Sequence, residues 1–201
     1  NDWSNLDSHV FTSGCAVNTG GCTDPGASNY DFAATTDDGS CVYIPNLTIQ
    51  EIQNGLVTGQ VVTGGIVTAV YAASSSLGGN ASYVIQNGTG PYSAIWCLGT
   101  GVVAGDLVDI AGTVSEVYGL RQIVGAVSTV VSSGNALPAA ELLATGSIND
   151  EQWESVLTQI LAPVSNANAG YGDWLLDDGS GNAMVANLGY DAVSDSVLVD
   201  L

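Results

Sequence analysis

The stretch from Val57 to Tyr71 constrains the fold more than any other. It reads Val-Thr-Gly-Gln-Val-Val-Thr-Gly-Gly-Ile-Val-Thr-Ala-Val-Tyr, fifteen residues without a charge. β-Branched side chains lose rotamer freedom in a helix and pack well on a pleated, half-buried surface, so this run predicts a long strand. Tyr83 to Gln86, Ala94 to Leu98, Leu107 to Val117 and Gln122 to Ser132 read the same way. Turn signals at Gly78-Gly79-Asn80, Asn87-Gly88 and Tyr118-Gly119 separate them. The expected class is all-β, with these five strands forming a small Greek-key barrel of the oligonucleotide/oligosaccharide-binding (OB) type. A short helix is expected over Ala139 to Leu143, because Pro138 suits a first helical turn.

Composition narrows the partners. Among 201 residues there is one Lys or Arg, Arg121, against 20 Asp and Glu, for a formal charge of −19. The 46% hydrophobic content is ample for a core, so the acidity does not signal a disordered tail. A field of this sign repels polyanions, and nucleic-acid binding replaces counterions with Lys and Arg that this chain lacks. The same field attracts hard cations such as Ca²⁺.

Three of the four cysteines, Cys15, Cys22 and Cys41, crowd the first 41 residues, and Cys97 stands apart. An even set in this arrangement predicts disulfides and an oxidising, extracellular setting. No Cys-x-x-Cys occurs, and His9 alone cannot complete a zinc site. Residues 21 to 43 pack carboxylates and turn formers between Cys22 and Cys41, a segment too short for its own core. A Cys22 to Cys41 bridge is the expected staple. Asp24, Asn29, Asp31, Asp37 and Asp38 place many oxygens in that loop and make a candidate Ca²⁺ site, against the plainer reading that Asp and Asn cap turns.

This stretch resembles the short repeat GCTDPxAxNYDxxAxxDDGSC of surface and secreted proteins of marine and Bacteroidetes-type bacteria. Where family members often carry a third cysteine beside Asn29-Tyr30, this chain has Ser28, so the resemblance leaves Cys15 to look elsewhere, with Cys97 as the candidate.

The β pattern then begins again. Tyr83 to Gly90 aligns with Trp174 to Gly181, an offset of 91, and Gly65 to Thr68 aligns with Ser155 to Thr158, an offset of 90. Near-equal offsets predict an internal duplication. The next element would be Ser194 to Leu201, matching Gly105 to Ile110, which leaves a second OB-like unit of about three strands. The expected organisation is an arm over 1–20, the stapled acidic repeat over 21–46, a first barrel over 47–147 and a partial second unit over 148–201. An open sheet leaves backbone groups unpaired along an edge, and such edges recruit strands. The chain starts at Asn1 with neither Met nor a signal peptide, which reads as processed or cut from something longer.

Residues 51 to 190 are similar to OB-type modules that precede the catalytic domain of large secreted nucleases and surface proteins of marine bacteria. The resemblance rests on Gly59 to Val70, Tyr83 to Tyr92, Gly105 to Val108, Gly112 to Glu116 and Gly172-Asp173-Trp174. It implies a module that presents substrate or joins domains and leaves phosphodiester chemistry to another domain. An OB groove stacks bases on aromatic side chains and holds the backbone with cations. Tyr83, Tyr92 and Trp96 are the candidate stacking residues, and Arg121 is the only base.

No constellation points to catalysis. Asp173, Asp177 and Asp178 could be read as an acid/base pair, but Asp178-Gly179 suits a hairpin turn and the aligned Gln86 and Asn87 cannot do that chemistry. His9, near Asp2 and Asp7, lies in an arm that is a poor platform for a preorganised site, and no Gly-x-Ser-x-Gly elbow occurs. Asn46, Asn80 and Asn87 stand in Asn-x-Ser/Thr sequons expected by composition alone. The expected function is a non-catalytic extracellular structural or interaction module, a filament or surface-layer subunit, that binds Ca²⁺ and copies of itself through strand edges. A DNA- or glycan-binding accessory module is the alternative. No membrane span is expected, since no apolar run has the required length.

Overall fold

The structure, a computed structural model, describes residues 18–55, 57–73, 79–170 and 172–185. The chain is almost all β. It divides into two compact units, Asn1–Ile44 and Pro45–Leu201. This boundary lies close to the end of the expected repeat.

The first unit holds two short parallel strands, β1 (Gly20–Gly21) and β2 (Thr36–Asp37). Among its described residues the buried apolar side chains are Cys22 and Ala27. The Cys22–Cys41 disulfide forms as expected, with Cα atoms 4.7 Å apart.

The second unit opens with helix α1 (Ile49–Asn54). Thr48 caps it, its hydroxyl accepting from the Glu51 N–H while Glu51 accepts from the Thr48 N–H, a capping box. Ile49 and Ile52 are fully buried in the barrel core. This helix is not in the sequence expectation, although Thr48-x-x-Glu51 is its signature. Six residues are too few for a helical period to show.

Strands β3 (Gly59–Tyr71), β4 (Ser82–Gln86), β5 (Ala94–Leu98), β6 (Leu107–Val117) and β7 (Leu120–Ser132) close a barrel in the order β3-β4-β5-β7-β6, with β6 returning to β3. All neighbours are antiparallel except β5 and β7, which meet in parallel at Trp96↔Gln122 and Cys97↔Ile123. Alternation decides the faces: Val61 and Val67, Tyr83 and Ile85, Ile95 and Cys97 point into the core, while Val84, Ala94 and Trp96 face outward.

The chain continues through β8 (Glu141–Leu143), β9 (Thr158–Ile160), β10 (Val164–Gly170), β11 (Asp173–Asp177) and β12 (Asn182–Val185). The helix expected over Ala139 to Leu143 is instead strand β8, which pairs in parallel with β9. A tertiary ladder overrides the local preference of Pro138 and the alanines after it. Strands β10, β11 and β12 form an antiparallel meander. The aligned segments around Tyr83 and Trp174 share a strand followed by a turn, with Gly88 at φ 79° and Gly179 at φ 98°, a region that favours glycine. The second alignment does not carry over, because Gly65 to Thr68 lie within β3 and Ser155 to Leu157 precede β9. Ser194 to Leu201 lie outside the described residues. Among the described residues no helix is long and apolar enough to cross a membrane.

Candidate functional site

The acidic loop resolves into separate turns. Asp24 Oδ1 accepts the Gly26 N–H at 2.8 Å, Asp31 Oδ1 accepts from Ala33, Asp37 Oδ1 from Gly39 and Asp38 Oδ1 from Ser40. Each is a carboxylate bonding its own backbone two residues on. Asn29 spans the loop, donating to Ser40 O at 2.7 Å and accepting from Val42 N–H at 2.7 Å. The Tyr43 hydroxyl donates to Asp24 Oδ2 at 2.6 Å, which holds Asp24 below the usual carboxylate range and raises Tyr43. Among the described residues no three His, Cys, Asp or Glu side chains gather as a metal site.

Of the candidate stacking residues, Tyr83 lies inside the barrel, while Trp96 and Tyr92 are partly exposed. Tyr83 is fully buried, and its hydroxyl shares a 2.6 Å hydrogen bond with Ser128 Oγ; burial pushes its pKa up to about 12. Trp96 stacks on Tyr71, ring centroids 4.8 Å apart and planes 21° from parallel. Tyr92 sits at a turn with φ 60°, and its N–H donates to Gln152 O at 2.7 Å. Cys97 is a free thiol, fully buried in the barrel core, and burial raises its pKa strongly. Among the described residues it bridges to no other cysteine, and its expected partner, Cys15, lies outside them.

What covers the outer face of β4 and β5 is the chain itself. Val156 is buried there with Val84 and Ala94, and Tyr71, Trp96 and Trp153 each pack against this cluster. Polar contacts fasten this strap. Gly90 N–H donates to Glu141 Oε1 at 2.7 Å, Leu157 N–H to Gln86 Oε1 at 2.9 Å, and Arg121 N–H to Glu154 Oε2 at 3.1 Å. Burial raises the Glu154 carboxyl, partly offset by that N–H. These partners are separated by 51, 71 and 33 positions in the sequence, so no local pattern announces them.

Arg121, the only Lys or Arg of the chain, faces inward. Its Nη1 donates to Ile52 O at 2.9 Å, Gln53 O at 3.1 Å and also to Gly55 O, while Nη2 meets Glu116 Oε2 at 3.0 Å. A guanidinium thereby closes the C-terminal carbonyls of α1, where a cation also complements the helix dipole.

The carboxylates near Trp174 are structural. Asp177 Oδ1 accepts the Gly179 N–H at 2.7 Å. Asp178 accepts from Thr145 Oγ1 at 2.8 Å, Thr145 N–H at 3.2 Å, Ser180 N–H at 2.9 Å and the Ser180 hydroxyl, tying a buried Thr145 to the β11–β12 turn. Four donors stabilise the ionised form, and Asp178 lies far below the ordinary range, the Ser180 hydroxyl contributing most. Because the folded value is depressed, this contribution is complete above the unfolded carboxylate range, near pH 4, and disappears as pH falls through the lower folded value. Acid titration followed by NMR is expected to leave the Thr145 and Ser180 amide resonances unmoved down to pH 4 and to shift them below it. Movement at pH 4 itself would show that Asp178 is not held by these donors.

An open cleft of about 550 Å³ lies where the start of α1, the middle of β3, the end of β4 and the start of β6 meet. Its floor is Gly64-Gly65. A Cβ on Gly64 would lie 2.7 Å from Val108 O and one on Gly65 2.8 Å from Gln86 O, so both neighbouring strands press against bare backbone.

No protein-family model matches the chain, and no curated protein matches it.

Proposed function

We propose that the chain is a secreted, non-catalytic interaction module, an OB-type barrel whose usual ligand face is sealed by its own strap and whose copies associate through a free sheet edge. The strand order β3-β4-β5-β7-β6 with its parallel β5–β7 contact supports the OB reading, since that fold binds ligand chiefly on its second and third strands. Here those strands are β4 and β5, under Val156 and Trp153. Arg121, spent on α1, leaves nothing to neutralise a phosphate backbone, which argues against the accessory DNA-binding alternative.

The edge of β12 carries the association reading. The meander repeats the antiparallel order of β3, β4 and β5, yet β12 pairs on its far side with no strand among the described residues, where β5 meets β7. Its register with β11 is regular over four consecutive pairs, Trp174↔Val185 to Asp177↔Asn182. The opposite edge, β10, is interrupted by two register shifts, and the Asn166 and Asn168 side chains bond its own N–H groups. Irregular edges deter pairing and regular ones invite it. Copies charged at −19 repel, so a divalent cation such as Ca²⁺ is the natural bridging counterion.

Sedimentation of the full chain over a concentration series, with and without millimolar Ca²⁺, tests this. Association that grows with concentration, strengthens with Ca²⁺ and is lost on Met184→Pro in β12 is expected. A monomer under every condition would overturn it.

A further inference from the structure

We infer that the cleft floored by Gly64-Gly65 is a binding site for a neutral, hydroxyl-rich ligand, a glycan. The inference goes beyond edge association and does not depend on it. The size lies within the range of ligand clefts, about 300 to 1,000 Å³.

Charge removes one class of ligand first. No Lys, Arg or His lines the cleft, while Glu51 and Asp109 do, so a phosphate, sulfate or uronate would enter against two carboxylates and the field of the whole chain. A metal is removed by geometry, since no three ligating side chains gather among the described residues. Glu51 is in any case committed to Thr48 through two 2.8 Å bonds.

What is left matches a sugar. Asp109 is exposed at the rim and offers a carboxylate that accepts two hydroxyls. Asn87 is exposed too, and its amide makes one long bond, Nδ2 to Gly64 O at 3.4 Å, leaving donor and acceptor capacity for the same ring. Leu47 and Val131 provide aliphatic walls for the C–H faces. No aromatic platform lines the cleft, so single-site affinity belongs in the millimolar range, about −4 kcal/mol.

The test is an NMR titration of the isotope-labelled full chain with cellohexaose, maltohexaose and mannohexaose, with heparin as the anionic comparison. At least one neutral sugar is expected to shift the Gly64, Gly65, Asn87 and Asp109 amides, and Asn87→Ala or Asp109→Ala to weaken it about tenfold with thermal unfolding unchanged. Heparin is expected to leave those amides in place. Silence of the cleft toward all three neutral sugars, shifts confined to another surface, or preference for heparin would overturn the inference. None of these outcomes touches the sedimentation result, so the two readings fail separately.

Discussion

Replacing Arg121 with Met is expected to cost the folded chain about 3 kcal/mol, measured as a fall in the urea midpoint with unchanged slope. The side chain keeps only 18% of its surface exposed, and its guanidinium reaches three carbonyls of the last turn and cap of α1. A hydrogen bond to a charged group contributes roughly 1.5 to 3 kcal/mol, the three here are not additive, and the loss leaves carbonyl oxygens poorly satisfied next to fully buried Ile52. Arg121→Lys should recover only part, because an ammonium cannot span three acceptors from the position of a planar fork. Glu116→Gln is the control. That carboxylate is 55% exposed, and an exposed pair contributes at most about 1 kcal/mol. If Arg121→Met were as mild as Glu116→Gln, the sole cation would not be a structural part, and the case against phosphate recognition would lose one of its supports.

The second large effect concerns the stapled unit. With Cys22 and Ala27 as its buried apolar residues, residues 18–44 cannot offset the entropy of ordering by burial. Closing a loop of 19 positions between Cys22 and Cys41 removes about 3 kcal/mol of chain entropy from the unfolded state. The double variant Cys22→Ser, Cys41→Ser is therefore expected to unfold this unit alone. Its amides should collapse to unfolded shifts and exchange freely, while barrel residues such as Ile85 and Ile95 keep their protection. Retention of dispersed shifts over residues 18–44 without the bridge would mean that the Asx turns and the Asn29 bonds suffice.

The barrel strands were legible because alternation is a local signal: Val61, Thr63, Gly65 and Val67 are buried two residues apart, as the run from Val57 predicts. The Cys22–Cys41 staple followed from the spacing and the lack of a core. The strap was not legible, since its bonds join Gln86 to Leu157 and Gly90 to Glu141, and nothing at either end marks the other. The alternation that put Trp96 on the outer face was legible, but no pattern told of Val156 packed on that face beside Val84 and Ala94. The burial of Cys97 was hidden by parity. Four cysteines suggest two bridges, whereas the strand period puts this one beside Ile95 and Ile123 in the core. The acidic loop shows the same ambiguity in reverse, for Asp and Asn serve turns and cations with the same oxygens.

The placement of Arg121 has a further consequence outside recognition. Trypsin-like proteases cleave after Lys or Arg, and this chain presents them with one target, set in the hydrogen-bonded β7 with its side chain turned toward α1. To be cut there the barrel must first open, so digestion by such enzymes tracks the rare unfolded population.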